Sequence, residues 1–193
     1  MLDNLKKYKI ILGSNSPRRK TLLAGLDIDF EVKTIADIDE SYPDSLPFEE
    51  VPLFIAGKKA EAFRSSLQSN ELLITADTVV VTDTEIVGKP KDKADAVRIL
   101  NCLSGRDHRV ITGVHLVAKD KTSCFSVIST VSFARLEPEE INYYLEKYSP
   151  YDKAGSYGIQ EWIGYIGVES INGSFYNVMG LPVQRLYKEL QRF

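Results

Sequence analysis

HRVITGVHLVAK (residues 108–119) and TSCFSVISTVSFAR (residues 122–135) are two long runs rich in β-forming residues, and they decide the fold. Only Asp120 and Lys121 separate the two runs, so the pattern predicts a single β-hairpin of unusual length. The sheet that contains this hairpin must therefore be long.

On either side of the hairpin, strand-like and helix-like segments alternate without a linker or an internal repeat. Hydrophobic periodicity and turn residues predict strands at 8–14, 30–34, 72–82, 85–87, 163–171 and 175–178, and helices at 17–25, 48–66, 92–103, 138–148 and 182–191. Asn172-Gly173 is the turn signal between the last two strands. Because strand and helix mingle throughout, we predict an α/β fold with a long mixed sheet, in one domain of residues 1–193.

The composition excludes several classes of protein. Hydrophobic residues make up 44% of the chain and charged residues 26%, as in an ordinary folded protein, and the net charge of −3 argues against a general nucleic-acid binder. No apolar run approaches the roughly 18 residues of a membrane span, and the apolar stretch after Lys6 and Lys7 is too short for a secretory leader. We therefore expect a cytoplasmic protein with no membrane partner. Cys102 and Cys124 lie far apart in a chain with two histidines, so neither a disulfide framework nor a zinc site is expected.

The segment GSNSPRR (residues 13–19) is the strongest local signal for anion binding. An apolar strand ends at Gly13, and Ser16 and Pro17 have the residue types of an N-cap and a first helical position. Such a turn exposes backbone N–H groups at the positive end of a helix dipole, where Arg18 and Arg19 are unfavourable unless an anion is bound. A phosphate site and a solvated arginine pair on a well-capped helix both remain open for this segment.

Two further charged residues stand where apolar residues are expected. Asp77 interrupts the β-forming run LLITADTVVV (residues 72–81), so it needs a cation, a metal or a strand end open to a cleft, unless it marks a bend between two strands. Lys59 lies four residues from both Ile55 and Phe63 and so falls on the apolar stripe of a helix, where an anionic partner would explain it. Lys89, between a strand and Pro90, is a third candidate for a phosphate ligand that means little alone.

Acidic residues at 37–40 could contribute to a metal site. Mg²⁺ prefers a few carboxylate oxygens together with phosphates and waters, so Glu40 and Asp77 would suffice. A solvated acidic loop is the alternative reading of Asp37, Asp39 and Glu40.

Taken together, these segments resemble the Maf family of nucleoside triphosphate pyrophosphatases. The matching segments follow the family's order along nearly the whole chain: LGSNSPRR (12–19), Asp39-Glu40, Lys59, ADT (76–78), GKPKD (88–92), LSGRDHRVITG (103–113), DKAGSYGIQ (152–160) and INGSFYNVMGLP (171–182). The resemblance implies an elongated α/β body with a long twisted mixed sheet flanked by helices, as in inosine triphosphate pyrophosphatases, and a nucleotide cleft between two lobes that share this sheet. It also implies a homodimer.

Site residues follow from the same resemblance, position by position. It implies that Asp77 is the general base and that Glu40 helps to hold a divalent cation, Mg²⁺, Mn²⁺ or Co²⁺, together with Asp77. The residues it implies for the phosphates are Ser14, Arg19, Lys59 and Lys89, and those it implies for substrate choice are Arg18, Thr78 and Gln160.

The residues at the three positions of substrate choice are those of the family's dTTP and UTP group. A sister group that prefers 7-methyl-GTP tends to carry an acid where Gln160 stands, and a neutral amide suits a pyrimidine edge better than a carboxylate does. The expected activity is hydrolysis of dTTP and UTP, or of modified pyrimidine nucleotides in a house-cleaning role, to the monophosphate and pyrophosphate. The alternative is a nucleotide-sensing regulator of cell division whose hydrolysis is incidental.

Overall fold

The computed structural model describes residues 2–193. Its strands are β1 (Lys9–Leu12), β2 (Phe30–Val32), β3 (Glu71–Val81), β4 (Ile86–Val87), β5 (Asp107–Val117), β6 (Thr122–Phe133) and β7 (Val168–Asn172). Its α-helices are α1 (Pro17–Ala24), α2 (Val51–Phe63), α3 (Lys93–Leu103), α4 (Pro138–Tyr148), α5 (Trp162–Gly167), α6 (Phe175–Met179) and α7 (Val183–Arg192), with single 3₁₀ turns at Asp3–Leu5 and Ala154–Ser156.

The strands form one mixed seven-stranded sheet in the order β2-β1-β3-β5-β6-β7, with β4 paired to β3. The long hairpin predicted from the sequence is present as β5 and β6. The predicted α/β class with a long mixed sheet is therefore confirmed. By its internal contacts the chain divides into two units, residues 2–77 with 112–127 and 180–193, and residues 78–111 with 128–179.

The first unit is organised around β1. This strand is parallel to both β2 and β3, with Ile11 opposite Glu31 and Leu73. Parallel neighbours require crossover connections, which contain α1 and α2. One cluster of apolar side chains joins α2 to the sheet: Ile11, Ala60, Phe63, Leu73 and Val117.

Gly113 on β5 marks a close approach of α2 to the sheet. A Cβ atom at this position would lie 2.3 Å from Leu53 N and 2.4 Å from Leu53 Cα. Side chains do not tolerate such distances, so only glycine lets the first turn of α2 rest on this strand.

The second unit combines antiparallel pairing with short helices. β4 pairs with β3 through Val80 and Val87, and β7 pairs with β6 through Val131 and Ile171. A buried aromatic group includes residues of β5 and β6. The ring of His108 contacts the rings of Phe133 and Tyr157 edge to face, with centroid distances of 5.0 and 5.5 Å. Burial lowers the pKa of His108 to about 4, so the imidazole is neutral and structural near neutral pH.

The strands predicted at 163–171 and 175–178 are wrong in part. Residues 162–167 form α5, only 168–172 are a strand, and 175–179 form α6. In α5, Gly164 permits a close approach to the preceding turn, because a Cβ there would lie 2.0 Å from the Ile159 carbonyl oxygen. Ser174 accounts for the difference at 175–179, because its Oγ accepts the Asn177 N–H at 3.3 Å as an N-cap does, while Asn177 Nδ2 reaches the Val110 carbonyl at 3.0 Å.

The other predicted elements lie close to the observed bounds. The helix at 138–148 is observed at those residues, whereas the helix predicted at 48–66 is shorter and begins at Val51, with Pro52 in its first turn. Across residues 2–193, no helix is both long enough and apolar enough to cross a membrane.

Candidate active site

The turn between β1 and α1 has the geometry that its sequence predicts. Ser16 is the N-cap of α1, where its Oγ accepts the Arg19 N–H at 3.4 Å and Pro17 takes the first helical position. Ser14 Oγ accepts the Ser16 N–H at 3.2 Å, and Gly13 N donates to the Ile74 carbonyl of β3 at 2.8 Å. The turn is thus fixed to the sheet at one end and to the helix at the other.

Arg19 is held in place within this turn. Its Nε donates to the Gly180 carbonyl at 2.9 Å, and its Nη1 lies 3.5 Å from Ser14 Oγ. Burial lowers the pKa of the guanidinium, and Arg18 adds to this, while Asp77 and Glu40 oppose it. A guanidinium fixed in this way presents a directed fork of donors suited to phosphate oxygens. Arg18 is half-buried on the same turn.

Lys59 bridges two carboxylates. Its Nζ lies 2.7 Å from Asp77 Oδ1 and 3.0 Å from Glu40 Oε1. The side chains of Lys59 and Asp77 are only 15% and 13% exposed, whereas that of Glu40 is 54% exposed. Lys59 therefore points inward, as its place on the apolar stripe predicts. Its anionic partners in the structure are Asp77 and Glu40.

Asp77 and Thr78 are the two half-buried residues of the otherwise buried strand β3. Desolvation raises the pKa of its carboxyl group, and the charges of Lys59 and Arg19 partly offset this rise. A carboxylate with a raised pKa accepts a proton more readily than an exposed aspartate does, which suits a general base. The bend between two strands that the sequence left open is not observed, because β3 runs through Asp77 without a break.

The acidic loop is fixed to α2 by a second lysine. Lys58 Nζ contacts Asp39 Oδ2 at 2.8 Å and the Ser41 carbonyl at 2.9 Å, and the hydrogen bonds from Lys58 and Ser41 hold the pKa of Asp39 below its usual value. The loop that carries Glu40 is therefore anchored, and Glu40 lies beside Lys59. Sequence reasoning gave Lys58 no role, although the pairing of Asp39-Glu40 with Lys58-Lys59 is a visible signal.

Glu40 and Asp77 fit an open metal site rather than a closed one. Their oxygens lie 3.0 and 2.7 Å from the same cation, the Lys59 ammonium, so both carboxylates are close to one point. Residues 2–193 contain no group of three or more His, Cys, Asp or Glu side chains arranged to hold a metal ion. Two carboxylates with phosphates and waters completing the shell is the arrangement that Mg²⁺ accepts in nucleotide enzymes.

The first unit thus brings together Ser14 with Arg19, and Glu40 with Lys59 and Asp77. Arg18 also lies in the first unit, and the remaining three predicted residues, Thr78, Lys89 and Gln160, belong to the second unit. Thr78 is half-buried on β3, while Lys89 and Gln160 are exposed in loops. The segment before Lys89 is tied to the glycine-rich loop before Gln160, because Gly155 N donates to the Gly88 carbonyl at 3.1 Å.

Comparison with known proteins shows which family the chain belongs to. The family model described as "Maf-like protein" matches residues 9–193. The dTTP/UTP pyrophosphatase of Parabacteroides distasonis is 65% identical over 193 residues, covering 100% of both chains. That of Porphyromonas gingivalis is 62% identical over 195 residues, covering 100% of this chain and 98% of the relative.

Among solved structures, a nucleoside-triphosphatase / dITP/XTP pyrophosphatase from Mycobacterium abscessus matches 72% of this chain and 94% of its own, with 16% identity and a TM-score of 0.42. That likeness is too weak to carry an argument. The family match over residues 9–193 and the relative that is 65% identical over its full length show that this chain belongs to the Maf-like protein family.

Proposed function

We propose that this protein hydrolyses dTTP and UTP to the nucleoside monophosphate and pyrophosphate. One observation carries the proposal: the Lys59 ammonium is held between the carboxylates of Asp77 and Glu40, at 2.7 and 3.0 Å, in a largely buried position. A buried carboxylate beside a buried cation suits hydrolysis of a polyphosphate, because the carboxylate can accept a proton from water and the cation can bind phosphate oxygens. The names of the full-length relatives supply the substrates.

In the proposed reaction, Asp77 takes the proton of the attacking water. The water oxygen forms a bond to the α-phosphorus, and the bond from that phosphorus to the oxygen bridging it to the β-phosphate breaks. Pyrophosphate leaves with the electron pair of that bond. General-base assistance of this kind contributes about 10² to 10⁴ in rate.

Arg19 and Lys59 bind phosphate oxygens in this proposal. Arg19 is preorganised by Gly180 and Ser14, so little conformational freedom is lost when a phosphate binds. Lys59 is shared by two acids and can exchange one of them for a phosphate oxygen. The roles of Ser14, Arg18, Thr78, Lys89 and Gln160 in substrate binding stay predictions from the sequence.

Glu40 and Asp77 would hold the divalent cation. A bound divalent cation supplies neutralisation of phosphate charge and orientation of the triphosphate. Requirement for such a cation, assembly as a homodimer and a cytoplasmic location likewise remain proposals for this chain.

Product analysis tests the proposed function. The purified protein is incubated with dTTP, UTP, CTP, GTP and 7-methyl-GTP, each with Mg²⁺, Mn²⁺ or Co²⁺. We expect equal amounts of monophosphate and pyrophosphate from dTTP and UTP, and ¹⁸O from labelled water in the monophosphate. Release of orthophosphate and a nucleoside diphosphate, or ¹⁸O in the pyrophosphate, would contradict attack at the α-phosphorus.

A further inference from the structure

A tight turn at residues 158–161 carries Gln160. The turn is closed by a hydrogen bond from Glu161 N to the Gly158 carbonyl at 2.9 Å. Gln160 is the exposed residue of the turn, whereas Gly158 and Ile159 are buried. The direction of the Gln160 side chain therefore depends on how firmly the two ends of the turn are held.

One phenol holds both ends. Tyr144, on α4 and 0% exposed, accepts the Gly158 N–H at 3.0 Å and donates its own hydroxyl proton to the Glu161 carboxylate. Burial, followed by the hydrogen bond to Glu161, raises the pKa of this phenol, so it remains protonated and keeps its donor at any pH the enzyme meets.

A lysine completes the arrangement on the other side of Glu161. Lys153 Nζ lies 3.1 Å from Glu161 Oε1, and only 12% of the Lys153 side chain is exposed. Gly158 leaves the space that the carboxylate fills, because a Cβ at 158 would lie 2.7 Å from Glu161 Cδ. The Glu161 carboxylate is thus oriented by Tyr144 and Lys153, in the space that Gly158 leaves.

Gln160 lines an open depression of about 420 Å³, which is also bordered by Ile159 and by the exposed rings of Tyr165 and Phe175. This volume is in the range of small-molecule sites, and aromatic walls with one amide are suited to a flat ring that carries hydrogen-bonding edges. A neutral amide selects such an edge only if its donor and acceptor keep their directions.

We propose that Tyr144 and Glu161 position Gln160 for recognition of the nucleobase, so that the selectivity of the enzyme depends on a hydrogen bond outside the substrate contacts. This inference rests on the proposed function. Tyr144 and Glu161 are positioning residues here and contact no reacting atom.

Substitution of Tyr144 by Phe tests the proposal, because it removes only the hydroxyl. Loss of the two hydrogen bonds loosens the turn, and we expect KM for dTTP and UTP to rise about three- to tenfold, the usual range for one or two lost hydrogen bonds, with kcat within about twofold of wild type. The preference for dTTP over GTP, as a ratio of kcat/KM values, should fall by a similar factor.

The neighbouring tyrosine provides a matched control. Tyr143→Phe makes the same change one residue earlier on α4, where the hydroxyl accepts a hydrogen bond from the exposed Lys147. We expect its KM and base preference to equal those of wild type. If Tyr144→Phe fails to fold in a thermal melt, Glu161→Ala replaces it, since this variant removes the acceptor of the phenol. The same rise in KM and the same fall in base preference are expected, and wild-type values for both would overturn the inference.

A double-mutant cycle separates positioning from general destabilisation. If Tyr144 acts through Gln160, Tyr144→Phe will change neither KM nor base preference in a Gln160→Ala background. An equal effect in both backgrounds, or a fall in kcat alone, overturns the inference and leaves the proposed function standing. Absence of pyrophosphate release by the wild-type protein overturns both.

Discussion

The Lys59 bridge and the turn at 158–161 solve the problem of placing a polar side chain in different ways. Lys59 and Asp77 project from regular elements, α2 and β3, and each charge is fixed by its partner. Gln160 projects from an irregular turn and is fixed by residues that hold the backbone around it. The charged residues of the proposed reaction thus lie on a helix and a strand. The residue proposed to recognise the base lies on a turn that hydrogen bonds from Tyr144 hold in place.

This difference has a functional consequence. Changes in the charged cluster should alter the rate or the folding free energy by large factors, because buried charges are costly when left alone. Changes around Gln160 should alter the choice of substrate by smaller factors and leave the chemistry in place. The following predictions test that division, beginning with the largest effect.

Asp77→Asn should have the largest effect on turnover. The amide cannot accept a proton from water, so kcat for dTTP should fall by about 10² to 10⁴. Burst and steady-state pyrophosphate assays measure the change, and calorimetry with a non-hydrolysable dTTP analogue checks that binding is retained. Turnover near wild type with binding intact would show that Asp77 is not the base.

Lys59→Met should be the most damaging change to stability. It removes the cation in direct contact with the buried Asp77 and leaves only the charge of Arg19 nearby. We expect a loss of about 3 kcal/mol in the free energy of unfolding at pH 8, by urea denaturation without metal. Lys58→Met is the matched control, since Lys58 pairs with the exposed Asp39 and such surface pairs are worth less than about 1 kcal/mol. Equal losses in the two variants would contradict the distinction.

Gln160→Glu should change the preferred base. A carboxylate only accepts hydrogen bonds and favours a cationic base, so the ratio of kcat/KM for dTTP to that for 7-methyl-GTP should fall by about tenfold or more. Gln184→Glu, an equivalent change at an exposed position of α7, should leave the ratio unaltered. An unchanged ratio in Gln160→Glu would remove the argument for specificity.

The smallest predicted effect is a slope of stability with pH. Burial raises the folded-state pKa of Asp77 above its usual 3.8, so the folded protein binds this proton more tightly than the unfolded chain does. The contribution of Asp77 is fully favourable below 3.8 and is lost as pH rises through its folded pKa. As pH rises from 3.8 through the folded pKa of Asp77, the free energy of unfolding of the wild type should therefore fall relative to that of Asp77→Asn. Urea denaturation in the presence of a chelator measures this difference.

Asp39 should show the opposite sign. Its hydrogen bonds to Lys58 and Ser41 lower the pKa, so its stabilising contribution is present above 3.8 and disappears as pH falls through its folded pKa. Urea denaturation of Asp39→Asn and wild type at several pH values measures this. Slopes of the same sign for Asp39 and Asp77 would show that burial does not dominate at Asp77.

Much of the charged cluster could be predicted because its residues violate a periodic pattern. Lys59 falls among Ile55 and Phe63, and Asp77 falls inside a β-forming run, so each violation indicates a partner. What the sequence could not give was the identity of that partner, since Lys59 and Asp77 are separated by 18 residues and no pattern relates them.

The region after residue 158 was harder to predict for a different reason. Its β-forming residues favour strands, but Gly164 lies too close to Ile159 for any side chain, and the Asn177 side chain donates to the Val110 carbonyl. The bonds of Tyr144 to Gly158 and Glu161 also cross from a helix to a loop, and local propensity contains no information about them. Here tertiary contacts override the preferences of the segment.

Gly113 shows how far from the chemistry an essential position can be. The atoms nearest to a Cβ at this position belong to Pro52 and Leu53, and the same helix carries Lys59 less than two turns further on. A methyl group there would lift the start of the helix and swing the ammonium away from its acids. Loss of activity on substitution of this glycine, in a natural variant or a mutational scan, would therefore reflect a displaced Lys59 side chain.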